Sequence, residues 1–540
     1  MVLAVPVVGT RRFLVAWAIA LSTPLVLIPN AGAVRIGEVP LEPVSGPSDL
    51  ATGSDGNLFV TEETADRVDR VRPDGGVIGQ FALLPGADPF AITAGPDGNL
   101  WVSEFTHKKV AKVTPLGGIV LFPAGTTSGN PRGIAAGPDG NIWVAESGPD
   151  MVGRLRLSDG NFQQFATTGG PRDIVAGPDG NVWFTKGSGA IGRITPAGTL
   201  LPDFTAGISP GAAPNSIALG PDGNIWFTEA AGIGRITPAG TVTEFSLAPN
   251  DDPSSKISAG PDGNLWFSQF NTDRVGRITP AGAITLFTQG ITAHGSPAGI
   301  TTGPDGRIWF AQFNGHRLGI ITLEPPTAVT GGATSIRPNS ASVTATVNPL
   351  DYPTTVRFDY GSSAAYGSSS APVALAAGSS EVAVPGELTG LTPRSTVHFR
   401  VVATSAIGAT IGSDVALNTP RFPRITTPIR SRFSLFPRFT RVMRLKALRV
   451  PAGVTIQLRC RGRGCFKRVK QVRLRRAARS VDLRRRFLRW ARLRPKAVLE
   501  VRVLAPASIG KVVRFTIRRT KLPRSRVLCL PPNAARPKRC

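Results

Sequence analysis

The ten residues Gly220–Glu229 read GPDGNIWFTE, and close variants of this phrase occur six more times before residue 315. Aligned on their first glycine, the copies begin at Gly53, Gly95, Gly137, Gly177, Gly220, Gly260 and Gly303. Successive copies are therefore 40 to 43 residues apart. A period of this length with strand-like content is typical of a β-propeller, in which each blade is one four-stranded sheet.

One unit, residues 214–247, shows how four strands follow from the sequence. The apolar segment SIAL predicts a first strand. GPDG predicts a tight hairpin, because proline presets φ, aspartate bonds its own backbone and glycine tolerates positive φ. NIWFTE, IGRITP and TVTEFSL predict the second, third and fourth strands. NIWFTE is apolar on both faces, which indicates a strand that is covered on both sides, as stacked blades provide.

A large aromatic residue recurs at one position of every unit. These residues are Phe59, Trp101, Trp143, Trp183, Trp226, Trp266 and Trp309. We expect them to pack between neighbouring blades. The seventh unit stops after its third strand, whereas VRIGEVPL at residues 34–41 matches a fourth strand, so we expect this segment to close the ring. The sequence therefore predicts an all-β protein with a seven-bladed β-propeller at residues 34–323.

The two rims of such a ring differ in their loops. The GPDG and PAG turns fall on one rim, and the irregular loops fall on the other, where binding sites are more common. Four polar residues that start first strands on the irregular rim are predicted to bind a ligand: Arg132, Arg172, Asn215 and Lys256. The same position in the other units holds Ser48, Phe90 and Ala298.

Carboxylates also cluster on this rim, because four second strands end in glutamate. We predict that these side chains hold Mg²⁺, which prefers oxygen ligands: Glu62, Glu104, Glu146 and Glu229. The corresponding residues of the other units are Lys186, Gln269 and Gln312. For each single glutamate a simpler interpretation stays open, namely that charged residues end strands because loops are solvated.

The repeated GPDGNIWFTE, IGRITPAG and TVTEF segments resemble the virginiamycin B lyase family of seven-bladed propellers over about residues 34–323. The resemblance implies elimination at the ester linkage of streptogramin B antibiotics, with Mg²⁺ and with histidine and glutamate side chains at one mouth of the ring. His294 and His316, which lie in loops of the irregular rim, are the candidate catalytic residues. The family places histidine just ahead of a first strand, and no unit of this chain does so.

Two functions therefore stay open for the propeller. It binds a polar small molecule or a glycan without turnover, which the missing histidines favour. Alternatively, it is a Mg²⁺-dependent carbon–oxygen lyase that linearises streptogramin B-type cyclic depsipeptides, which the glutamates and the resemblance favour.

The segment that follows, residues 324–420, alternates like the strands of a β-sandwich. Its LTPRSTVHFRVVA stretch, residues 391–403, resembles bacterial fibronectin type III modules. We expect a fibronectin III-like domain that acts as a spacer.

Residues 421–540 carry most of the positive charge of the chain. They contain 37 Lys and Arg against two acids, Asp482 and Glu500, within a total net charge of +27. We predict a small basic β domain whose partner is an anionic polymer of the cell envelope. Nucleic acid is disfavoured, because the aromatic residues here are few and follow no base-stacking pattern.

All four cysteines lie in this basic part: Cys460, Cys465, Cys529 and Cys540. In an exported chain they indicate two disulfides, and of the three possible pairings the local one is the simplest.

The N-terminal residues 1–33 predict a signal peptide, because Arg11 and Arg12 precede an apolar run and an Ala-Gly-Ala site follows. We therefore expect a secreted or cell-surface protein with no transmembrane helix in the mature chain.

Overall fold

The computed structural model describes residues 34–124, 129–148, 150–248, 255–488 and 491–540. These residues are almost entirely β-structure, with one five-residue helix. The predicted signal peptide at residues 1–33 lies outside them. Within these ranges, no helix has the length and apolar character needed to cross a membrane.

Each repeat forms one four-stranded antiparallel sheet, and we number these sheets one to seven in chain order. The first described strand, β1 (Val34–Pro40), belongs to sheet seven. Sheet one contains β2 (Pro47–Thr52), β3 (Leu58–Glu62), β4 (Arg67–Val71) and β5 (Val77–Ala82). Sheet two contains β6 (Pro89–Ala94), β7 (Leu100–Glu104), β8 (Lys109–Val113) and β9 (Ile119–Pro123). Sheet three contains β10 (Asn130–Ala136), β11 (Ile142–Ser147), β12 (Met151–Leu155) and β13 (Phe162–Ala166).

The remaining sheets follow the same order. Sheet four contains β14 (Pro171–Ala176), β15 (Val182–Lys186), β16 (Ala190–Ile194) and β17 (Leu200–Phe204). Sheet five contains β18 (Ile217–Leu219), β19 (Ile225–Glu229), β20 (Gly232–Ile236) and β21 (Val242–Ser246). Sheet six contains β22 (Ile257–Ala259), β23 (Leu265–Gln269), β24 (Arg274–Ile278) and β25 (Ile284–Phe287). Sheet seven contains β26 (Pro297–Thr302), β27 (Ile308–Gln312), β28 (Arg317–Leu323) and β1.

The sheets close into a ring. β1 pairs with β28 along its whole length, from Val34 opposite Leu323 to Pro40 opposite Arg317, so the closing strand predicted from the sequence is confirmed. The first strand of each sheet contacts the first strand of the next, from β2 and β6 round to β26 and β2. This arrangement is a β-propeller, with the first strands nearest its axis.

The recurring aromatic residue packs between sheets, as the sequence predicts. Trp226 of sheet five is fully buried against Ile257, Leu265 and Phe267 of sheet six. At the seam, Trp309 of sheet seven packs in the same way on sheet one. We call the seven recurring aromatic residues the wedge residues. Each of them packs one sheet against the next around the whole ring.

The GPDG turn holds this indole in place. Asp222 Oδ1 accepts the Trp226 Nε1–H at 3.0 Å and the Asn224 backbone N–H at 3.1 Å. A Cβ atom on Gly220 would lie 2.5 Å from Trp226 Cδ1, so only glycine leaves room for the ring. Gly223 has φ +75°, which a tight turn of this kind requires. The residues of the repeated GPDG turn therefore hold the tryptophan of the same repeat in one position.

The next part of the chain is a two-sheet β-sandwich. One sheet holds β29 (Thr327–Arg337), β30 (Ser340–Asn348) and β34 (Val382–Thr389). The other holds β31 (Thr354–Gly361), β32 (Gly367–Ser369), β33 (Val373–Leu375), β35 (Thr396–Thr404), β36 (Ala409–Ile411) and β37 (Val415–Asn418). Alternate residues of β30, β31 and β35 are buried in one common core.

The basic part also consists of two sheets around one core. One holds β38 (Ile429–Leu435), β39 (Thr440–Val450), β42 (Ala478–Asp482) and β43 (Arg492–Leu493), and α1 (Leu483–Phe487) follows β42. The other holds β40 (Thr455–Arg461), β41 (Lys470–Arg473), β44 (Val498–Leu504), β45 (Gly510–Thr516) and β46 (Arg524–Leu530). Disulfides join Cys460 to Cys465 and Cys529 to Cys540, which confirms the local pairing.

Replacing one wedge should weaken the propeller in proportion to the volume removed. We expect Trp226→Ala to lower the free energy of unfolding by about 3–5 kcal/mol, because a buried indole is lost and a cavity remains. Trp226→Phe is the matched control, since Phe59 fills the same position in sheet one. Denaturant unfolding of both variants measures the difference. Equal losses for alanine and phenylalanine would contradict the wedge role.

Candidate functional site

A pocket of about 320 Å³ lies where the seven first strands begin. One residue from each sheet lines it, and we call these seven the mouth residues: Ser48, Phe90, Arg132, Arg172, Asn215, Lys256 and Ala298. All four residues predicted to bind a ligand are among them. The structure therefore brings together side chains that are up to 250 positions apart in the sequence, from Ser48 to Ala298, and we call this space the mouth pocket.

A local distortion of the first strands turns the mouth residues toward the pocket. In five sheets the pairing of first and second strands shifts register here, as in a β-bulge. A hydroxyl of the second strand accepts the N–H next to the mouth residue: in sheet four, Thr185 Oγ1 accepts from Asp173 N at 3.0 Å. The same hydroxyl donates at 2.7 Å to the carbonyl oxygen of Asn215, the next mouth residue. The Thr185 hydroxyl thus links the first-strand segments of two neighbouring sheets at this rim.

The polar part of the pocket contains a network of three charged side chains. Lys256 Nζ lies 3.3 Å from Asp49 Oδ2 and 3.5 Å from Asp173 Oδ2, so it joins sheets six, one and four. Asp173 Oδ2 also accepts hydrogen bonds from Ser216 Oγ at 2.8 Å and from Ile217 N at 3.2 Å. Both carboxylates are therefore engaged within the protein.

Burial and charge act in opposite directions on this network. Burial alone would lower the pKa of Lys256, but Asp173 and Asp49 raise it above its usual value. Burial raises the pKa of Asp49, and the attraction of Lys256 opposes that rise. Lys256 is therefore a permanently charged ammonium group at neutral pH.

Two guanidinium groups lie on neighbouring sheets, and the charge of Asp173 offsets the burial of Arg132 only in part. Arg172 Nη1 donates to the Ala213 carbonyl oxygen at 3.1 Å. Arg132 lies over the Phe90 ring at 5.1 Å, and its buried Nε makes no hydrogen bond. Among the described residues, no carboxylate lies within ion-pair distance of either arginine. Burial, and then the charge of Arg172, lower the pKa of Arg132.

Aromatic and acidic side chains complete the wall. Phe270 and Phe313, which follow the second strands of sheets six and seven, lie with ring centroids 6.0 Å apart. Glu63 follows the second strand of sheet one. Burial, and then the nearby Asp88, raise the pKa of Glu63 to about 7, so it is partly protonated at neutral pH.

The four glutamates predicted to hold Mg²⁺ are buried and belong to four different sheets. Each has a partner in its own sheet: Arg67 for Glu62, His107 for Glu104, Gln164 for Glu146 and Glu244 for Glu229. None of the four is among the residues that line the mouth pocket. Across the described ranges, no three or more histidine, cysteine, aspartate or glutamate side chains form a group able to hold a metal ion. In this arrangement the glutamates do not share one coordination sphere, and the Mg²⁺ site stays a prediction.

In sheets three and five, burial favours the uncharged form of the glutamate, whereas Lys186 at the same position of sheet four is paired with Asp203. Gln269 and Gln312 occupy the same buried position in sheets six and seven. Burial, and then Glu244, raise the pKa of Glu229 to about 8. Burial likewise raises the pKa of Glu146 to about 7, against the hydrogen bond from Gln164. At neutral pH Glu229 is therefore mostly protonated and Glu146 partly protonated, and a protonated carboxyl group resembles the neutral amide of glutamine.

The two candidate catalytic histidines lie in separate loops. His316 is in the turn between β27 and β28, where its Nδ1 accepts from the Gly46 N–H at 3.3 Å. His294 is exposed in the loop before β26, where its N–H donates to Asp273 Oδ2 at 2.6 Å. Neither is among the residues that line the mouth pocket. Their catalytic role stays a prediction.

A second cavity, of about 760 Å³, lies on the basic domain. We call it the basic cleft, and its charged residues are Arg459, Arg461, Lys467, Arg468, Arg502, Arg514, Arg536 and Glu500. Glu500 is nearly buried and pairs with Arg502 and Arg514 at 2.8 Å each. Among the described residues, no carboxylate lies within ion-pair distance of the other five cations. The cleft therefore has a large excess of positive charge.

Comparison with known proteins defines the class of the chain. The sequence profile of the virginiamycin B lyase family matches residues 27–200 and 159–329, which together span more than half of the 540 residues. The chain belongs to the virginiamycin B lyase family. No curated protein sequence matches it.

Solved structures of family members are similar to it. A streptogramin B lyase structure is 30% identical, with a TM-score of 0.51, and the match covers 54% of this chain and 98% of that one. Virginiamycin B lyase from Staphylococcus aureus is also 30% identical, with a TM-score of 0.50 and coverage of 54% and 99%. A catalytically inactive histidine-to-alanine variant of that enzyme with quinupristin has the same identity, TM-score and coverage.

Ten pocket residues are not predicted from the sequence, and five of them have charged or aromatic side chains: Asp49, Glu63, Asp173, Phe270 and Phe313. Glu63, Phe270 and Phe313 each come one position after the last residue of a second strand. Successive side chains of a strand point to opposite sides, so counting one residue further would have found these three. Asp49 and Asp173 follow a mouth residue directly, and both positions reach the pocket because of the bulge. The proline at the start of each bulged strand, such as Pro47 and Pro171, is the sequence signal for that bulge.

The raised pKa values predict that the propeller becomes less stable as pH rises. Folded Glu146 and Glu229 keep a proton that the unfolded chain, with a carboxyl pKa near 4.5, has lost, so the stabilisation is present at low pH and disappears as pH passes 7 to 8. We expect the Tm to fall between about pH 5 and pH 8, and to fall less steeply in a Glu146→Gln, Glu229→Gln variant. Exposed Glu381→Gln is the control. An unchanged slope in the double variant would show that these carboxyl groups ionise freely.

Proposed function

We propose that the protein is exported and that its seven sheets form a seven-bladed propeller that binds a polar small molecule or glycan in the mouth pocket. One observation supports this most directly: the mouth residues of all seven sheets converge on one cavity, and two of them are guanidinium groups that form no ion pair with the described residues. Pockets of about 300–1,000 Å³ with a few convergent polar groups are the usual form of a small-molecule site. The absence of histidine among the pocket residues favours binding without turnover.

The other two parts extend this proposal. The β-sandwich at residues 324–420 serves as a fibronectin type III-like spacer. The basic cleft holds the protein at the cell envelope by binding an anionic polymer, since guanidinium groups match phosphate and carboxylate oxygens well. Two disulfides and the signal-peptide pattern of residues 1–33 support an extracellular location.

A second candidate function is the Mg²⁺-dependent lyase reaction on streptogramin B-type depsipeptides. Membership of the virginiamycin B lyase family and 30% identity to a streptogramin B lyase favour it. The geometry favours it less, because His294, His316 and the four glutamates do not meet in one site. The loss of activity in the S. aureus enzyme on replacing one histidine also supports a need for histidine in the reaction.

A direct comparison separates the two functions. We expect the full chain to leave quinupristin intact with Mg²⁺ present, as followed by mass spectrometry. Ring opening that a chelator abolishes would instead support the lyase.

For binding, we expect a thermal-shift screen of polar small molecules and glycans to yield a stabilising compound, since a ligand at about 100 times its Kd adds about 2.7 kcal/mol. The shift should shrink in Arg172→Gln and persist in Arg156→Gln, a half-buried residue of the turn between β12 and β13 that lies outside the pocket. If no compound gives a shift that depends on pocket residues, the binding function is wrong.

The basic cleft makes a separate prediction. Retention of the full chain on immobilised polyphosphate should fall steeply between about 0.1 M and 1 M salt, because the Debye length shortens from about 10 Å to about 3 Å. Arg459→Ser, Arg461→Ser and Arg468→Ser together should elute at lower salt than the native chain.

The matched control removes three exposed arginines of the other sheet: Arg430, Arg432 and Arg444. If the control elutes at the same salt as the cleft variant, binding reflects net charge alone and the cleft is not a site.

A further inference from the structure

The mouth pocket is chemically divided, and the division follows the order of the sheets. Arg132 and Arg172 come from sheets three and four. Phe270 and Phe313 come from sheets six and seven, which lie across a ring of seven from sheets three and four. One side of the pocket therefore carries the two arginines and the facing side carries the two aromatic rings, where the remaining cation, Lys256 of sheet six, is paired with Asp49 and Asp173.

Among the described residues, neither arginine forms an ion pair with a carboxylate. Asp173 attracts Arg132 only at longer range, and its carboxylate is engaged by Lys256 and by hydrogen bonds from Ser216 and Ile217. Arg132 keeps a buried Nε without a hydrogen bond. A buried donor without an acceptor is costly, and two adjacent guanidinium groups repel each other. An anion bound between the two arginines would remove both costs.

The aromatic side restricts what that anion can be. The Phe270 and Phe313 rings, 6.0 Å apart, offer an apolar surface but no partner for a second charge. Glu63 lies beside them on sheet one and would repel a second anionic group once ionised. The volume of about 320 Å³ is at the small end for organic ligands.

We propose that the mouth pocket binds a small organic monoanion whose carboxylate lies between Arg132 and Arg172 and whose aromatic body packs on Phe270 and Phe313. This inference rests on the proposed binding function and names the chemical class of its ligand. A planar carboxylate accepts paired N–H donors from guanidinium groups, which gives orientation as well as affinity. Inorganic phosphate fits less well, because it leaves the aromatic side uncovered.

The test uses three probes that separate the two halves of the pocket. Isothermal titration of the full chain with 2-naphthoate should show binding. Its neutral isostere 2-naphthamide, which lacks the charge, and acetate, which lacks the rings, should each bind at least tenfold more weakly.

Substitutions of the arginines and of Phe270 test which side chains contact the probe. Arg132→Gln with Arg172→Gln should weaken 2-naphthoate at least tenfold and make the acid and the amide equal, whereas Arg156→Gln should change nothing. Without ligand, the double variant should unfold at a temperature no lower than the native chain, because it removes a repulsion. Phe270→Leu should weaken 2-naphthoate several-fold and leave acetate unchanged.

The outcomes distinguish this inference from the function on which it rests. If 2-naphthamide binds as tightly as 2-naphthoate, the pocket is a binding site but its ligand class is wrong. If neutral glycans stabilise the chain and 2-naphthoate does not bind, the inference again falls while the binding function stands. If neither the probes nor any screened compound depends on pocket residues, both are wrong.

Discussion

The fold depends on one clamped aromatic ring in each repeat. The glycine that opens the turn leaves room for the indole, the aspartate accepts its N–H, and the ring then fills the space between two sheets. A four-stranded sheet buries little by itself, so each sheet needs this contact with the next. Trp309 extends the series across the seam to sheet one, where β1 supplies the missing fourth strand. The rim that carries the GPDG turns thus contributes to stability, and its turn sequence varies little between repeats.

We place the proposed function on the opposite rim, because the contacts of the recurring tryptophan do not restrict the residues there. Bulges at the starts of five first strands, and second-strand hydroxyls such as Thr185 Oγ1, help to direct one side chain per sheet toward the axis whatever its identity. The scaffold therefore accepts arginine, asparagine, lysine or phenylalanine at equivalent positions. In this chain the choice produces a cationic side, an aromatic side and a central Lys256–aspartate network. The family defines the propeller fold. In the proposed function, the seven mouth residues define which ligand the pocket binds.

Much of this could be predicted from the sequence, and the limits are physical. The period and the turn chemistry are local signals, so the repeats, the wedges, the closing strand and the mouth residues follow from spacing alone. The direction of a side chain at the end of a strand depends on the alternation of side chains along the strand and on bulges. A shift of one residue reverses that direction. That is why Glu62 and its equivalents, predicted at the mouth, lie among the strands of their own sheets, whereas Glu63 and Phe270 line the pocket.

The central claim is that the irregular rim, at the mouth residues, is where the protein meets its ligand. A crystal structure with 6-bromo-2-naphthoate tests it most directly, because bromine has a distinct anomalous signal. We expect one bromine peak inside the mouth pocket beside Phe313, with the carboxylate between the two arginines. A bromine peak on the GPDG rim or on the outer strands, with the mouth pocket empty, would contradict the account.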